Sequence, residues 1–84
     1  MFAPLVATTV TTFPNPAVKS LFIDLRQPVR DARVIVYDPA GRELLRREGV
    51  TATVVELDVS ELPKGSYLLR VEDGGKLFTG KFQK

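Results

Sequence analysis

Carboxylates and amines are the groups through which this sequence could do chemistry, because it contains neither histidine nor cysteine. Catalysis near neutral pH asks for a group poised close to neutrality, or for a nucleophile with a base beside it. A carboxylate pair flanking a glycosidic bond remains conceivable, with Asp24, Asp38, Glu56 and Asp58 as candidates. These fall at turns and on polar strand faces, where carboxylates are simply hydrated, so the chain is read as a non-enzyme. Calcium needs several oxygen ligands converging from a loop. Asp31, Asp38, Asp58 and Asp73 offer oxygens, but no D-x-D-x-D-G spacing gathers them, and no metal or other cofactor is expected. The stretch "GGKLFTG" at 74–80 lacks the G-K-[ST] ending of a phosphate loop and a helix after it. It reads as a hairpin. A sugar-binding platform asks for exposed flat rings, and the chain has no Trp, two Tyr and five Phe. Tyr67, Phe78 and Phe82 are in phase with core positions, which leaves Phe2, Phe13, Phe22 and Tyr37. Phe22 and Tyr37 are placed either to share an outer patch on one sheet or to lie beneath the uncharged N-terminal segment.

The scaffold that must position these groups is small. A chain of 84 residues makes one domain, burying roughly 60% of its unfolded surface without room for a deep pocket. With 44% hydrophobic and 26% charged residues its composition is that of a globular domain rather than a disordered tail. Twelve Lys and Arg against 10 Asp and Glu leave a net charge of +2, too little to imply a nucleic-acid partner. The charge is unevenly distributed, however. Residues 1–18 carry none, whereas residues 64–84 hold Lys64, Arg70, Lys76, Lys81 and Lys84 against Glu72 and Asp73. "FAPLVATTV" is apolar but lacks a basic flank, and is shorter than the roughly 20 residues that span a bilayer. Neither a signal peptide nor membrane insertion is expected.

Short period-two runs punctuated by Gly, Pro, Asp and Asn indicate an all-β chain. "ATTVTT" at 7–12 reads as an edge strand, ended by "FPNP" because proline donates nothing to a ladder. "SLFIDLR" at 20–26 places Leu21, Ile23 and Leu25 on one face, and "ARVIVYD" at 32–38 is apolar on both, as a central strand would be. "DPAGR" at 38–42 is a tight turn, returned by "ELLRRE" at 43–48. "ATVVELDVS" at 52–60 turns Val55, Leu57 and Val59 inward, and "ELPKG" turns again. "SYLLRVE" at 66–72 alternates Tyr67, Leu69 and Val71 against Leu68, Arg70 and Glu72. "DGG" is a hairpin turn leading into "KLFTGKFQK". These runs predict a seven-stranded, two-sheet antiparallel sandwich of immunoglobulin-like size, without the Cys, Trp, Cys signature of antibody domains.

Four stretches in order carry a resemblance: "FPNPAVKSLFIDL" at 13–25, "ARVIVYDPAGREL" at 32–44, "LDVSELPKGSYLLRV" at 57–71 and "GKLFTGKFQK" at 75–84. Together they resemble the C-terminal sorting domains of the type IX (Por) secretion system, type A, over 13–84, with 1–12 as linker or an added edge strand. The resemblance maps the family's proline-rich opening to Pro14, Asn15 and Pro16, and its hairpin motif to Tyr37, Asp38, Gly41 and Arg42. Its glycine-to-tyrosine motif maps to Leu62, Gly65 and Tyr67, and its terminal basic strand to Lys76, Lys81 and Lys84. Pro39 departs from the apolar residue more usual there, without threatening the turn.

What the resemblance implies is an address for export. A cargo domain fused upstream would cross the inner membrane by its own signal, be recognised in the periplasm by the type IX translocon, and be severed by a sortase-like peptidase. It would then be released, or held at the surface of a Gram-negative Bacteroidetes cell. Lys81 and Lys84 would be displayed beside a free carboxylate and an edge-strand backbone; equally, terminal lysines protect an edge from aggregation. Tyr67 is expected to fill the core and Asp38 to cap its turn. Dimerisation through the first or last strand is left open. The alternative function is an accessory binding module, carbohydrate-binding or fibronectin-like, beside a secreted enzyme.

Overall fold

Alternating apolar residues that cannot bury themselves along a lone strand pair into sheets. The computed structural model describes residues 7–14 and 17–84. Among these, six strands form: β1 (Ala7–Thr9), β2 (Thr11–Phe13), β3 (Ser20–Tyr37), β4 (Glu43–Asp58), β5 (Ser66–Asp73) and β6 (Lys76–Gln83). β3 and β4 are one long antiparallel hairpin, paired from Ser20↔Asp58 to Tyr37↔Glu43, with register shifts between Asp24 and Val34. There the backbone bends, with Arg26 at φ 62° and Gly49 at φ 67°. Gly49 adopts that angle at little cost, whereas at Arg26 the bend is supported by Asp24, whose Oδ1 accepts the Arg26 N–H at 3.0 Å.

The bend divides the hairpin between two layers. The first half of β3 and the second half of β4 join β2. The second half of β3 and the first half of β4 join β5, β6 and β1, in the order β4-β3-β5-β6-β1. Bulges raise twist and turn strands at such corners. Leu21, Ile23, Val55 and Leu57 of the smaller layer then meet Val34, Val36, Leu69, Val71, Phe78 and Phe82 of the larger one in a single core. Burial of each such side chain contributes about 1.5–3 kcal/mol.

Two expectations change. The separate strands expected at 20–26 and 32–38, and at 43–48 and 52–60, are continuous through bulges, because the ladder between β3 and β4 resumes after each shift. The single edge strand expected at 7–12 is broken at Val10: β1 pairs in parallel with β6, and β2 antiparallel with β3. The sandwich is therefore antiparallel except at β1.

Candidate functional site

Most of the motif residues converge on one end of the sandwich, where the β3–β4 turn, the β4–β5 connection and the end of β6 lie together. In the first turn, Asp38 Oδ1 accepts the Arg42 backbone N–H at 2.8 Å and its Oδ2 accepts Arg42 Nε–H at 2.9 Å. The Asp38 carbonyl accepts the Gly41 N–H at 2.9 Å, and Gly41, at φ 90°, takes the conformation a side chain would resist. The two bonds from Arg42 hold the Asp38 carboxyl below the usual carboxylate range.

The connection from β4 to β5 holds the end of β6. Lys84 Nζ donates to the carbonyls of Leu62 at 2.7 Å and Ser60 at 3.0 Å. Its backbone exchanges two hydrogen bonds with Gly65, at 2.8 and 3.0 Å. Tyr67 Oη donates to the Pro63 carbonyl, and its ring stacks on Phe82 with centroids 5.3 Å apart. Asp58, at the start of this connection, accepts the Ser60 hydroxyl and N–H at 2.7 and 2.9 Å, which lowers its pKa. Leu62 and Gly65 thus hold Lys84 while Tyr67 holds Phe82 and Pro63 beside them, and the four residues form one knot around the end of β6.

Expected features of the last strand need correction. Beyond β1, the outward carbonyls of β6 are engaged rather than open. Its Thr79 carbonyl accepts the Val10 N–H at 2.8 Å, its Lys81 carbonyl the Thr12 hydroxyl at 3.0 Å, and its Gln83 carbonyl the Ala17 N–H at 2.8 Å. These alternate carbonyls along that side are taken by Val10, Thr12 and Ala17. Nor is the ammonium of Lys84 on display, being spent on the two carbonyls. Lys81 is exposed, with no carboxylate partner among the described residues. Lys76 lies at the opposite end, bonded to Gln27 Oε1 at 3.0 Å. Pro14 is exposed just after β2, while Asn15 and Pro16 lie outside the described residues. Phe22 and Tyr37 do not share a patch: Phe22 stacks on Phe13 of β2 on the smaller layer, centroids 5.5 Å apart, and Tyr37 is on the larger one.

The candidate carboxylates for catalysis are engaged locally. Asp24 bonds to Arg26, Asp38 to Arg42, Glu56 to Ser20 at 3.3 Å and Asp58 to Ser60. No group of three or more metal-ligating side chains occurs among the described residues. Sequence reasoning missed an ion-pair ladder across β4, β3 and β5, running Glu43, Arg46, Glu48, Arg33, Glu72 and Arg70 with separations of 2.7 to 3.8 Å. It also passed over Leu68, 46% exposed among polar neighbours. Its signal was its phase, an apolar residue on the polar side of β5.

Comparison with known proteins agrees with this architecture. The family described as "Secretion system C-terminal sorting domain" matches residues 11–84. Among solved structures, an immunoglobulin-like β-sandwich protein of the DUF3244 family from Bacteroides vulgatus superposes with a TM-score of 0.67 at 22% identity. The alignment covers 92% of this chain and 85% of that one. At that identity the likeness is one of fold. No curated protein matches the chain.

Proposed function

Because the chain belongs to the C-terminal sorting domain family of the type IX (Por) secretion system, we propose that it is a non-catalytic address read by that system's outer-membrane translocon. A cargo domain fused upstream reaches the periplasm by its own signal. The translocon engages the folded sandwich, and the cargo crosses to the cell surface or the medium. A sortase-like peptidase then severs the domain, or leaves it to hold the cargo at the surface.

The match along residues 11–84 carries this reading. The geometry supports it, since a receptor serving unrelated cargoes needs one rigid feature. The knot of Leu62, Gly65, Tyr67 and Lys84 ties the last strand to the body of the sandwich.

The test is a reporter with a Sec signal at its N-terminus and residues 1–84 at its C-terminus, in a Bacteroidetes host with and without a working translocon. Reporter outside the cell only in the competent strain is the expected result. Reporter retained in the periplasm of both strains would overturn the proposal. One observation favours an accessory binding module instead, the stacked Phe13–Phe22 pair with Phe13 44% exposed. Retention of the isolated domain on insoluble polysaccharide, abolished by Phe13→Ala, would establish that reading.

A further inference from the structure

We infer that the outer face of β5 and β6 around Leu68 is the surface through which the partner is engaged, and that the segment docking there is acidic with an apolar side chain. The inference rests on the export reading above and names where and by what chemistry the recognition occurs. Leu68 lies on β5, an interior strand of the larger layer, yet is 46% exposed. It faces Tyr37 of β3 and Lys81 of β6 in register. A leucine in the middle of a sheet that the described residues leave uncovered is the kind of apolar anchor point that interfaces use.

Grooves open on both sides of it. One, of about 470 Å³, runs past Pro39, Ser66 and Phe82 to the knot at the end of β6. The other, reached across Leu68 and Lys81, runs towards Thr9 and Val10 of the N-terminal segment. Among the described residues no Asp or Glu lines either groove, nor the two that adjoin them.

The charges on the larger layer decide what fits. Glu43, Glu48 and Glu72 on this layer are each held by Arg33, Arg46 or Arg70, and the ladder carries no net charge of its own. Lys84 is bonded to carbonyls of the β4–β5 connection. Lys81, beside Leu68, and Lys64, beyond Ser66, also lie along these grooves, and neither forms an ion pair among the described residues. A cationic rim around an apolar spot selects a segment of opposite charge. The opposite outer face has the other character: Phe13, Phe22 and Val54 lie among Asp24, Glu56 and Asp58, and would repel the same segment.

The reporter fused to residues 1–84 tests this with four substitutions, each purified domain being checked for an unchanged melting temperature. Leu68→Thr keeps a strand-forming residue while removing the anchor, and Lys81→Glu reverses the rim. Each is expected to lower export about tenfold or more. Lys81→Arg and Val54→Thr, the latter with similar exposure on the other face, should export like the unsubstituted domain. Normal export of Leu68→Thr and Lys81→Glu, with the unsubstituted domain exported, would overturn this inference and leave the export function standing. Equal loss with Val54→Thr would overturn it too, since the partner would then not distinguish the faces. Concentration-dependent association of residues 1–84 that Lys81→Glu abolishes would make the occupant a second copy and overturn the acidic partner. An unsubstituted domain that is not exported overturns both proposals together.

Discussion

Lys84 shows how differently a charged residue reads as a letter and as a neighbour. Charge at the end of a strand suggested display, but the ammonium is bonded to carbonyls 22 and 24 residues away. Backbone carbonyls carry no side-chain identity, so nothing in the residue types marks that partnership. Lys84→Met should therefore destabilise the domain by about 1–2 kcal/mol, as loss of charge-assisted bonds does, read by urea unfolding. Tyr67 was legible, by contrast, because its phase with Leu69 and Val71 places it inside. Its hydroxyl bond to Pro63 was not. Tyr67→Phe is expected to cost about 1 kcal/mol through that bond and Tyr67→Ala about 3 kcal/mol through a cavity, a difference the same unfolding curves resolve.

Among the elements, periodicity identified most inward-facing runs, but neither the buried Val29 of the bulged stretch nor where strands stop. Residues 26–31, "RQPVRD", look like a break because they interrupt the alternation. A bulge interrupts it equally, and only the register with β4 separates a bend from an end. That register is set by contacts distant in the chain. The covering of β6 by Val10, Thr12 and Ala17 is of the same kind. It depends on Gly80, where an added Cβ would lie 3.2 Å from Val10 Cγ2 and 3.4 Å from the Val10 carbonyl oxygen. Gly80→Ala should push that segment outward while leaving the β5–β6 hairpin paired. Hydrogen exchange at the Val10 amide, bonded to Thr79, is expected to quicken roughly tenfold, about 1.4 kcal/mol, with the amides between β5 and β6 unchanged.

For the whole molecule, the sandwich and its two layers followed from composition and pattern, whereas the charge arrangement over its surface did not, since it depends on which strands are neighbours. That arrangement shapes the response to pH. Asp38, Glu43 and Asp58 have folded pKa values below their ordinary 3.8, 4.5 and 3.8, chiefly through hydrogen bonds from Arg42, Arg46 and Ser60 respectively. Groups depressed on folding contribute stability above their unfolded pKa values and lose it as pH falls through the folded ones. With no histidine to titrate, the melting temperature should be flat from about pH 5 to 8 and fall below about pH 4.5. Asp38→Asn should reduce that acid limb. The ladder of ion pairs is exposed, so raising NaCl to about 1 M should shift stability by less than about 1 kcal/mol.

The parallel pairing of β1 with β6 also has a mechanical meaning. Ala7, Thr8 and Thr9 run alongside Leu77, Phe78 and Thr79 in the same direction. Tension applied at residue 7 and resisted at residue 84 therefore slides the two strands past each other and loads their bonds together, the Val10–Thr79 bond included. An antiparallel pair held at adjacent ends would instead open one bond at a time. On the proposed export reading, a cargo tugging from the N-terminal side on a domain gripped near its last strand would pull along the direction in which that seam is hardest to part.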